Sequence, residues 1–286
     1  MTYKTNPIQL FSVRDFGLSI QHFLTQTKPL FEALPFDCYD SRKEQIQFLQ
    51  TNLAEPPPRD LLFRYYLGEI EIHSLATCIE TLSPDKLNEF KKIQAYRKRA
   101  VSRFILDKEN MSWRCKRIPT SAFSQDFGKI DKDVFDIRLL PRQFTEIEEA
   151  MVDNELFKTL LFGVASNVAQ LHPSLKRLDI TVHHVRVMTS SERITSNAPE
   201  GIHQDGFDYI VSALVVEREN VLGGESQIFK EDKKTKIFTT TLQPGFGILQ
   251  PDKGTDLWHT VTPITVQSGT SGYRSSIGFD IALEIS

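Results

Sequence analysis

The sequence predicts a mainly β fold with added α: an antiparallel jelly roll, or double-stranded β-helix, flanked by N-terminal helices. Three observations carry this. The second half is a succession of short β-rich runs, DYIVSALVV, SQIFK, KIFTTTL, GFGILQ, HTVTPIT and RSSIGFDIAL. Turn-prone pairs separate them, among them Gly223–Gly224, Pro244–Gly245 and Ser268–Gly269. The first half instead repeats its apolar residues near helical spacing. With no repeat, low-complexity tract or evident linker, we expect one domain over 1–286, mostly helical in 1–115 and a jelly-roll core in 116–286.

The elements follow in order. Residues 18–34 and 41–53 read as helices, and the triple proline at 56–58 interrupts them. The stretch LFRYYLGEIEIHSLATCIETL is mixed. Residues 82–106 then read as a long amphipathic helix, with Ser83 as N-cap and Pro84 at its first position. Its basic run KKIQAYRKRAVSR is expected to be a solvated face, tempered by Asp85, Glu89 and Asp107. VFDIRLLP (134–141) reads as a strand containing Arg138, 146–172 as a long helix, and 177–189 as a strand. SSERITSNAPEG is a loop by composition.

Bulk properties bound the function. The 286 residues are 40% hydrophobic and 25% charged, with a formal net charge of -3. Such a balance offers no basic stripe for a phosphate backbone, so no nucleic-acid partner is expected. Cys38, Cys78 and Cys115 are odd in number and widely spaced, which fits thiols in a reducing cytoplasm rather than a disulfide framework. The N-terminus has no secretory pattern, and no run approaches the roughly 18 apolar residues of a membrane span. We therefore expect a cytoplasmic protein without membrane contact.

The stretch GIHQDGFDYI puts His203 and Asp205 two positions apart before an apolar run. On a strand, period-two alternation would turn both to one face. His259, in DLWHTVTPI, heads a later β-rich run that a jelly roll brings to the same mouth. Two imidazoles and a carboxylate leave coordination positions open and suit non-haem Fe(II) acting on O2. His-x-Asp is common by chance and 7 histidines are present, so a local loop hydrogen bond with a packed His259 explains these three residues equally well. GYRSSIGFDI shifts the balance. Arg274 lies 15 positions beyond His259, with Ser276 on the same strand face. An arginine fork holds a carboxylate bidentately, and a serine hydroxyl adds a donor.

The order His-x-Asp, Gly-Gly turn, distal His and Arg-x-Ser resembles the Fe(II)/2-oxoglutarate-dependent dioxygenases, enzymes with a cupin-like jelly roll. The fuller text, PEGIHQDGFDYIVSALVVERENVLGGESQIF with PGFGIL, HTVTPI and GYRSSIGFDI, is similar to the bacterial L-isoleucine dioxygenase family, which hydroxylates free aliphatic amino acids. The resemblance is clearest over 199–281 and thinner over 118–187. It implies His203, Asp205 and His259 as iron ligands, Arg274 on the distal carboxylate of 2-oxoglutarate, and Ser276 assisting. It also implies release of succinate and CO2, and hydroxylation rather than halogenation, because Asp205 occupies the carboxylate position. The chain departs from the family at Phe207, where a histidine is expected, and in the polar stretch PDKGTDLWH.

A small zwitterionic substrate needs an internal cation. Arg138 and Arg186 are the candidates, with Arg138 favoured and Arg186 equally suited to the keto acid or the barrel wall. Phe123, Gln125 and Phe207 are candidate pocket residues, and the aromatic flank at Phe123 and Phe127 points to an apolar side chain. Trp258 is expected to pack away from the metal and Glu225 to bond structurally. Rival readings are the same chemistry on a peptide, carrier-tethered or natural-product substrate, and a non-catalytic cupin-like metal-binding module. A zinc hydrolase is disfavoured, because no general base or HExxH is evident.

Overall fold

The computed structural model describes residues 7–110, 112–120 and 142–285. Its strands are β1 (Gln9–Ser12), β2 (Arg97–Glu109), β3 (Ser112–Ile118), β4 (Leu175–Ser190), β5 (Tyr209–Glu219), β6 (Val221–Gly223), β7 (Ser226–Phe229), β8 (Lys236–Thr240), β9 (Phe246–Pro251), β10 (Trp258–Val261), β11 (Ile264–Val266) and β12 (Ser271–Ile285). The helices are α1 (Ile20–Ala33), α2 (Tyr39–Asn52), α3 (Arg59–Leu67), α4 (Ala76–Ile79), α5 (Pro84–Lys91), α6 (Glu149–Val152) and α7 (Glu155–Leu171). Among the described residues no helix is long and apolar enough to cross a membrane.

The chain divides into two compact units. One gathers Met1–Pro35, Lys98–Thr120 and Thr145–Ser286. It holds a seven-stranded sheet in the order β1-β9-β5-β12-β4-β2-β3, a three-stranded sheet β10-β7-β8 and the pair β11-β6. This is the double-stranded β-helix architecture. The sheet thus takes strands from both sides of residue 115. The other unit comprises Phe36–Arg97 and the described part of 121–144. Its helices α2, α3 and α5 close on Ile46, Leu49, Leu62, Tyr65, Tyr66 and Phe90.

Strand parity organises the first unit. β12 runs antiparallel to both β4 and β5. On one face Ile277, Phe279 and Ile281 join Leu178, Ile180 and Val182 of β4, and α7 lays Phe157, Leu160, Val164 and Val168 over them. The residues between, Arg274 opposite Val187 and Ser276 opposite Val185, face the other way. That second face shares a smaller core with the three-stranded sheet, built from Ala213, Val215, Ile228, Ile248 and Leu257. The Gly223–Gly224 turn has φ of 76° and 65°. A Cβ at Gly223 would lie 2.1 Å from the Pro263 carbonyl oxygen, so only glycine fits there.

Two expectations need correction. The helix over 82–106 stops at Lys91, and β2 follows from Arg97. Its start is as expected, since Ser83 Oγ accepts the Lys86 N–H (3.4 Å) with Pro84 at the first position. Beyond it, a period of two wins. Ala100, Phe104 and Leu106 join the helix-covered core. The arginines are ion-paired or hydrogen-bonded rather than forming a solvated face: Arg97 to Asp40, Arg99 to His183, and Arg103 to Asp179. The helix over 146–172 is broken into α6 and α7. Asn154 Oδ1 accepts the Leu156 N–H at 2.8 Å and caps the second piece. The expected strand at 134–141 lies outside the described residues.

On the helix-covered face, His184 is buried between the rings of Phe31 and Phe157, with centroids 5.6 and 5.8 Å away. Neither ring nitrogen has a hydrogen-bond partner. Burial, with the neighbouring His183 adding, pushes its pKa down to about 3. The unfolded chain, near 6.5, binds a proton first, so stability falls as pH drops through 6.5 toward 3. The slope is about 1.4 kcal/mol per pH unit. We expect His184→Leu to lose less thermal stability than the parent between pH 6 and 5. Parallel calorimetric scans check this, and identical pH slopes would contradict it.

Candidate metal centre

The apolar run of β5 ends the chain's freedom at Tyr209, and the preceding loop carries His203 and Asp205. This is a correction, because the segment is not a strand. His203 forms one isolated antiparallel bridge with His259, the N–H of each donating to the carbonyl of the other at 3.0 Å. His259 itself lies on β10, opposite Ile228. The bridge brings the two rings to 4.4 Å between centroids. Gln204, with the opposite parity, turns its amide onto the carbonyls of Asp252, Thr255 and Leu257. That anchor ties the loop to the segment leading into β10.

The three side chains converge. Asp205 Oδ1 lies 3.4 Å from His203 Nε2, and Oδ2 lies 3.2 Å from His259 Nε2. One ligand atom from each residue falls within 4.8 Å of the others. His203 Nδ1 is 2.9 Å from the Gly201 carbonyl, which can only accept, so Nδ1 carries hydrogen and Nε2 faces Asp205. Glu200 adds a second carboxylate, 3.4 Å from His203 Nε2. Burial alone would lower the His203 pKa; the Asp205 bond and the Glu200 charge outweigh it and push it up to about 9. Burial likewise opposes the Asp205 charge, and the two imidazoles overcome it, holding the carboxyl well below the usual range.

Asp252, at the end of β9, is fully buried. Its Oδ2 accepts the Gly206 N–H at 2.7 Å, and its Oδ1 stands 3.7 Å from His259 Nδ1. Burial raises its pKa, against the pull of His259.

Arg274 is also fully buried. Its Nη1 donates to Ser276 Oγ at 3.3 Å, while Nε and Nη2 have no partner. Burial, then the charge of Arg218 opposite it on β5, pushes its pKa down to about 9. Arg218 is spent on the carbonyls of Gly223 and Gly224. A buried guanidinium with orphaned donors and no carboxylate partner among the described residues calls for an external anion.

The other expected residues fall elsewhere. Arg186 lies on the helix-covered face, opposite in parity to Arg274. It is bonded to Glu217 (3.0 Å) and Ser275 (2.9 Å) and stacks on Tyr273 at 4.3 Å. It belongs to the barrel wall and does not reach the metal side, which corrects its candidacy for substrate or keto acid. Phe207 is half-buried in the turn after Asp205. Arg138, Phe123 and Gln125 lie outside the described residues. Glu225 pairs with Gln227, as a structural hydrogen bonder does. Trp258 carries Lys233 over its ring at 3.6 Å. Sequence reasoning missed Glu200, Gln204 and Asp252. Asp252 lies 47 positions from Asp205, and no local pattern marks it.

A β-helix with a two-histidine, one-carboxylate centre defines a class, the non-haem iron oxygenases. A family model described as 2OG-Fe dioxygenase matches residues 76–280, and the chain belongs to that family. The chain is 27% identical over 161 residues to 3(1)-hydroxy-L-isoleucine 4-dioxygenase of Pantoea ananatis (strain AJ13355), which covers 55% of this chain and 60% of that protein. Among solved structures, IDO from Bacillus thuringiensis is similar over 85% of this chain and 99% of its own, with TM-score 0.53 and 19% identity. A bsmA homolog from Methylobium petroleophilum PM1 is similar over 93% of both chains, with TM-score 0.54 and 15% identity. At those identities the structures establish the fold alone.

The donor set fits Fe(II): two neutral-capable imidazoles and one carboxylate, with His203 Nε2 turned inward by the Gly201 carbonyl. Metal must displace the proton that His203 holds below about pH 9. We expect the apparent Co(II) affinity of the metal-free protein to rise about tenfold from pH 7 to 8, a loss of one proton per metal bound. Spectroscopic titration at both pH values measures it. A pH-independent affinity would place the proton elsewhere.

Proposed function

We propose that this chain hydroxylates an aliphatic carbon of a free L-amino acid, consuming O2 and 2-oxoglutarate and releasing succinate and CO2. His203, Asp205 and His259 hold Fe(II) in this reading. The bound iron supplies O2 activation, and 2-oxoglutarate supplies the matching two electrons. Arg274 fixes the distal carboxylate of the keto acid, with Ser276 steadying the guanidinium. The single observation that carries the co-substrate assignment is the fully buried Arg274 with Nε and Nη2 unpartnered. Asp205 keeps the carboxylate position filled, which favours hydroxylation over halogenation.

The amino-acid substrate draws support from the Pantoea ananatis relative, whose name specifies a hydroxy-L-isoleucine. This chain spans about 60% of that relative's length. Arg138 is our proposed cation for the substrate carboxylate, and Phe123, Gln125 and Phe207 our proposed pocket contacts. An apolar pocket of that make-up favours leucine, isoleucine or methionine over charged residues. Iron, 2-oxoglutarate and a panel of free amino acids should yield a gain of one oxygen with matched succinate, read by mass spectrometry. An untouched panel, with a peptide or tethered residue oxidised, would transfer the protein to the larger-substrate reading.

Removing a desolvated, hydrogen-bonded charge partner costs about 2–5 kcal/mol of binding, roughly 30-fold or more in affinity. Arg274→Ala should therefore weaken 2-oxoglutarate binding by at least that factor while metal affinity stays near the parent's. Arg274→Lys should recover only part, since an ammonium lacks the planar fork. Calorimetric titration of 2-oxoglutarate into the Mn(II)-loaded variants decides the point, and unchanged affinity in folded Arg274→Ala ends the assignment.

A further inference from the structure

The two histidines of the centre are backed by different groups. Behind His203 stands a neutral carbonyl, Gly201 O, 2.9 Å from Nδ1. Behind His259 stands a carboxylate, Asp252, with Oδ1 3.7 Å from Nδ1. Both His259 Nδ1 and Asp252 Oδ1 are buried without a hydrogen-bond partner among the described residues. The other oxygen of Asp252 already accepts the peptide N–H of Gly206, the residue after Asp205. Gln204 donates to the Asp252 carbonyl, so the same residue is also tied to the loop through its backbone. One side chain thus stands between the two segments that together carry all three metal-facing groups.

We propose that Asp252 is the positioning residue of the metal centre. It takes the Nδ1–H of His259, holds Nε2 bare and aimed at the metal, and with its second oxygen fixes the peptide that orients Asp205. The inference rests on the iron-centre reading above. A separation of 3.7 Å is longer than a hydrogen bond. A shift of about 0.5–1 Å brings the pair into range, and pairing satisfies two buried polar atoms that have no other partner. A carboxylate behind a metal-bound imidazole fixes its tautomer and raises its basicity, and losing such a partner typically costs about 10–100-fold in metal affinity.

A simpler role, capping Gly206 alone, makes a different forecast. Asparagine keeps an oxygen for the Gly206 N–H, so a cap would tolerate Asp252→Asn and suffer from Asp252→Ala. In the positioning role the order changes. With its oxygen on Gly206, the asparagine presents its NH2 to His259 Nδ1 and favours the tautomer with hydrogen on Nε2, which cannot bind metal. Co(II) titration of the metal-free full-length chain reads the difference. We expect Asp252→Asn to bind Co(II) about 10–100-fold more weakly than the parent, at least as weakly as Asp252→Ala, with the metal-free thermal midpoint nearer the parent's than that of Asp252→Ala. Parent-like Co(II) affinity in Asp252→Asn, or a loss confined to Asp252→Ala, overturns the role. NMR of the Zn(II)-loaded parent decides the matter without a variant. A hydrogen-bonded, slowly exchanging His259 Nδ1–H supports it, and a freely exchanging one overturns it. His203→Ala serves as the separate control. If that variant binds Co(II) as the parent does, the metal-centre reading itself fails and takes this inference with it.

Discussion

Strand β12 has to serve two environments at once, and its pairing decides which residue meets which. Hydrogen-bonded to β4 on one side and β5 on the other, it sends Ile277, Phe279 and Ile281 into the layer beneath α7. The alternate residues, Arg274 and Ser276, go to the opposite face. A slip of one residue would turn the Arg274 guanidinium to the helix-covered face and three large apolar side chains to the opposite one. The helix layer therefore does more than cover the sheet. Its apolar demand pins the register that keeps Arg274 on the working face. Pairing irregularities between Ser275 and Ser276 and between Ile277 and Phe279 let β5 follow β12 while that parity is kept.

Charge is distributed on the same principle of separation. Asp205, Glu200 and Asp252 surround two imidazoles, a group that in metal-free form holds itself together by protonating His203. Arg274 and Arg218 face each other across β12 and β5 with no carboxylate of the described residues between them. The first set suits a divalent cation and the second an anion. A metal with a dicarboxylate co-substrate satisfies both demands together, and neither a simple binding module nor a hydrolytic zinc site accounts for the arginine. Arg186 shows the contrast. Two strands from Arg218 and on the other face, it is fully engaged by Glu217, Ser275 and Tyr273, so it is a structural cation.

In the proposed reading, metal and co-substrate binding and substrate choice fall in different stretches of the chain. The motifs proposed to hold metal and co-substrate lie within 203–276, inside the region matched by the dioxygenase family. The residues proposed to touch the amino acid lie mainly in 123–138, outside them. Barrels of this kind keep the shared centre on strands and strand ends, and vary recognition through connecting segments. That division explains how two solved structures at 19% and 15% identity share the fold while the substrate has to be argued separately.

What the sequence determined by itself was local and periodic. Alternation marked β4, and short β-rich runs between turn-prone pairs marked β5, β9 and β12; Ser83–Pro84 marked the start of α5; paired glycines marked the turn at 223–224. The spacing His203-x-Asp205 and the Arg274-x-Ser276 pattern were legible for the same reason, since each lies within one short segment. Tertiary structure decided the rest. The basic run 94–103 carries helical and strand periodicities at once, and only the burial of Ala100, Phe104 and Leu106 beside partners for Arg97, Arg99 and Arg103 selects the strand. Arg138 and Arg186 read alike as interior-strand cations; Glu217 and Ser275, distant in sequence, assign Arg186 to the wall. His259 meets His203 through a bridge across 56 positions, and Asp252, just past β9, reaches both the loop of Asp205 and β10. Contacts of that range depend on strand pairing, and pairing is a property of the assembled sheet that no local window of residues contains.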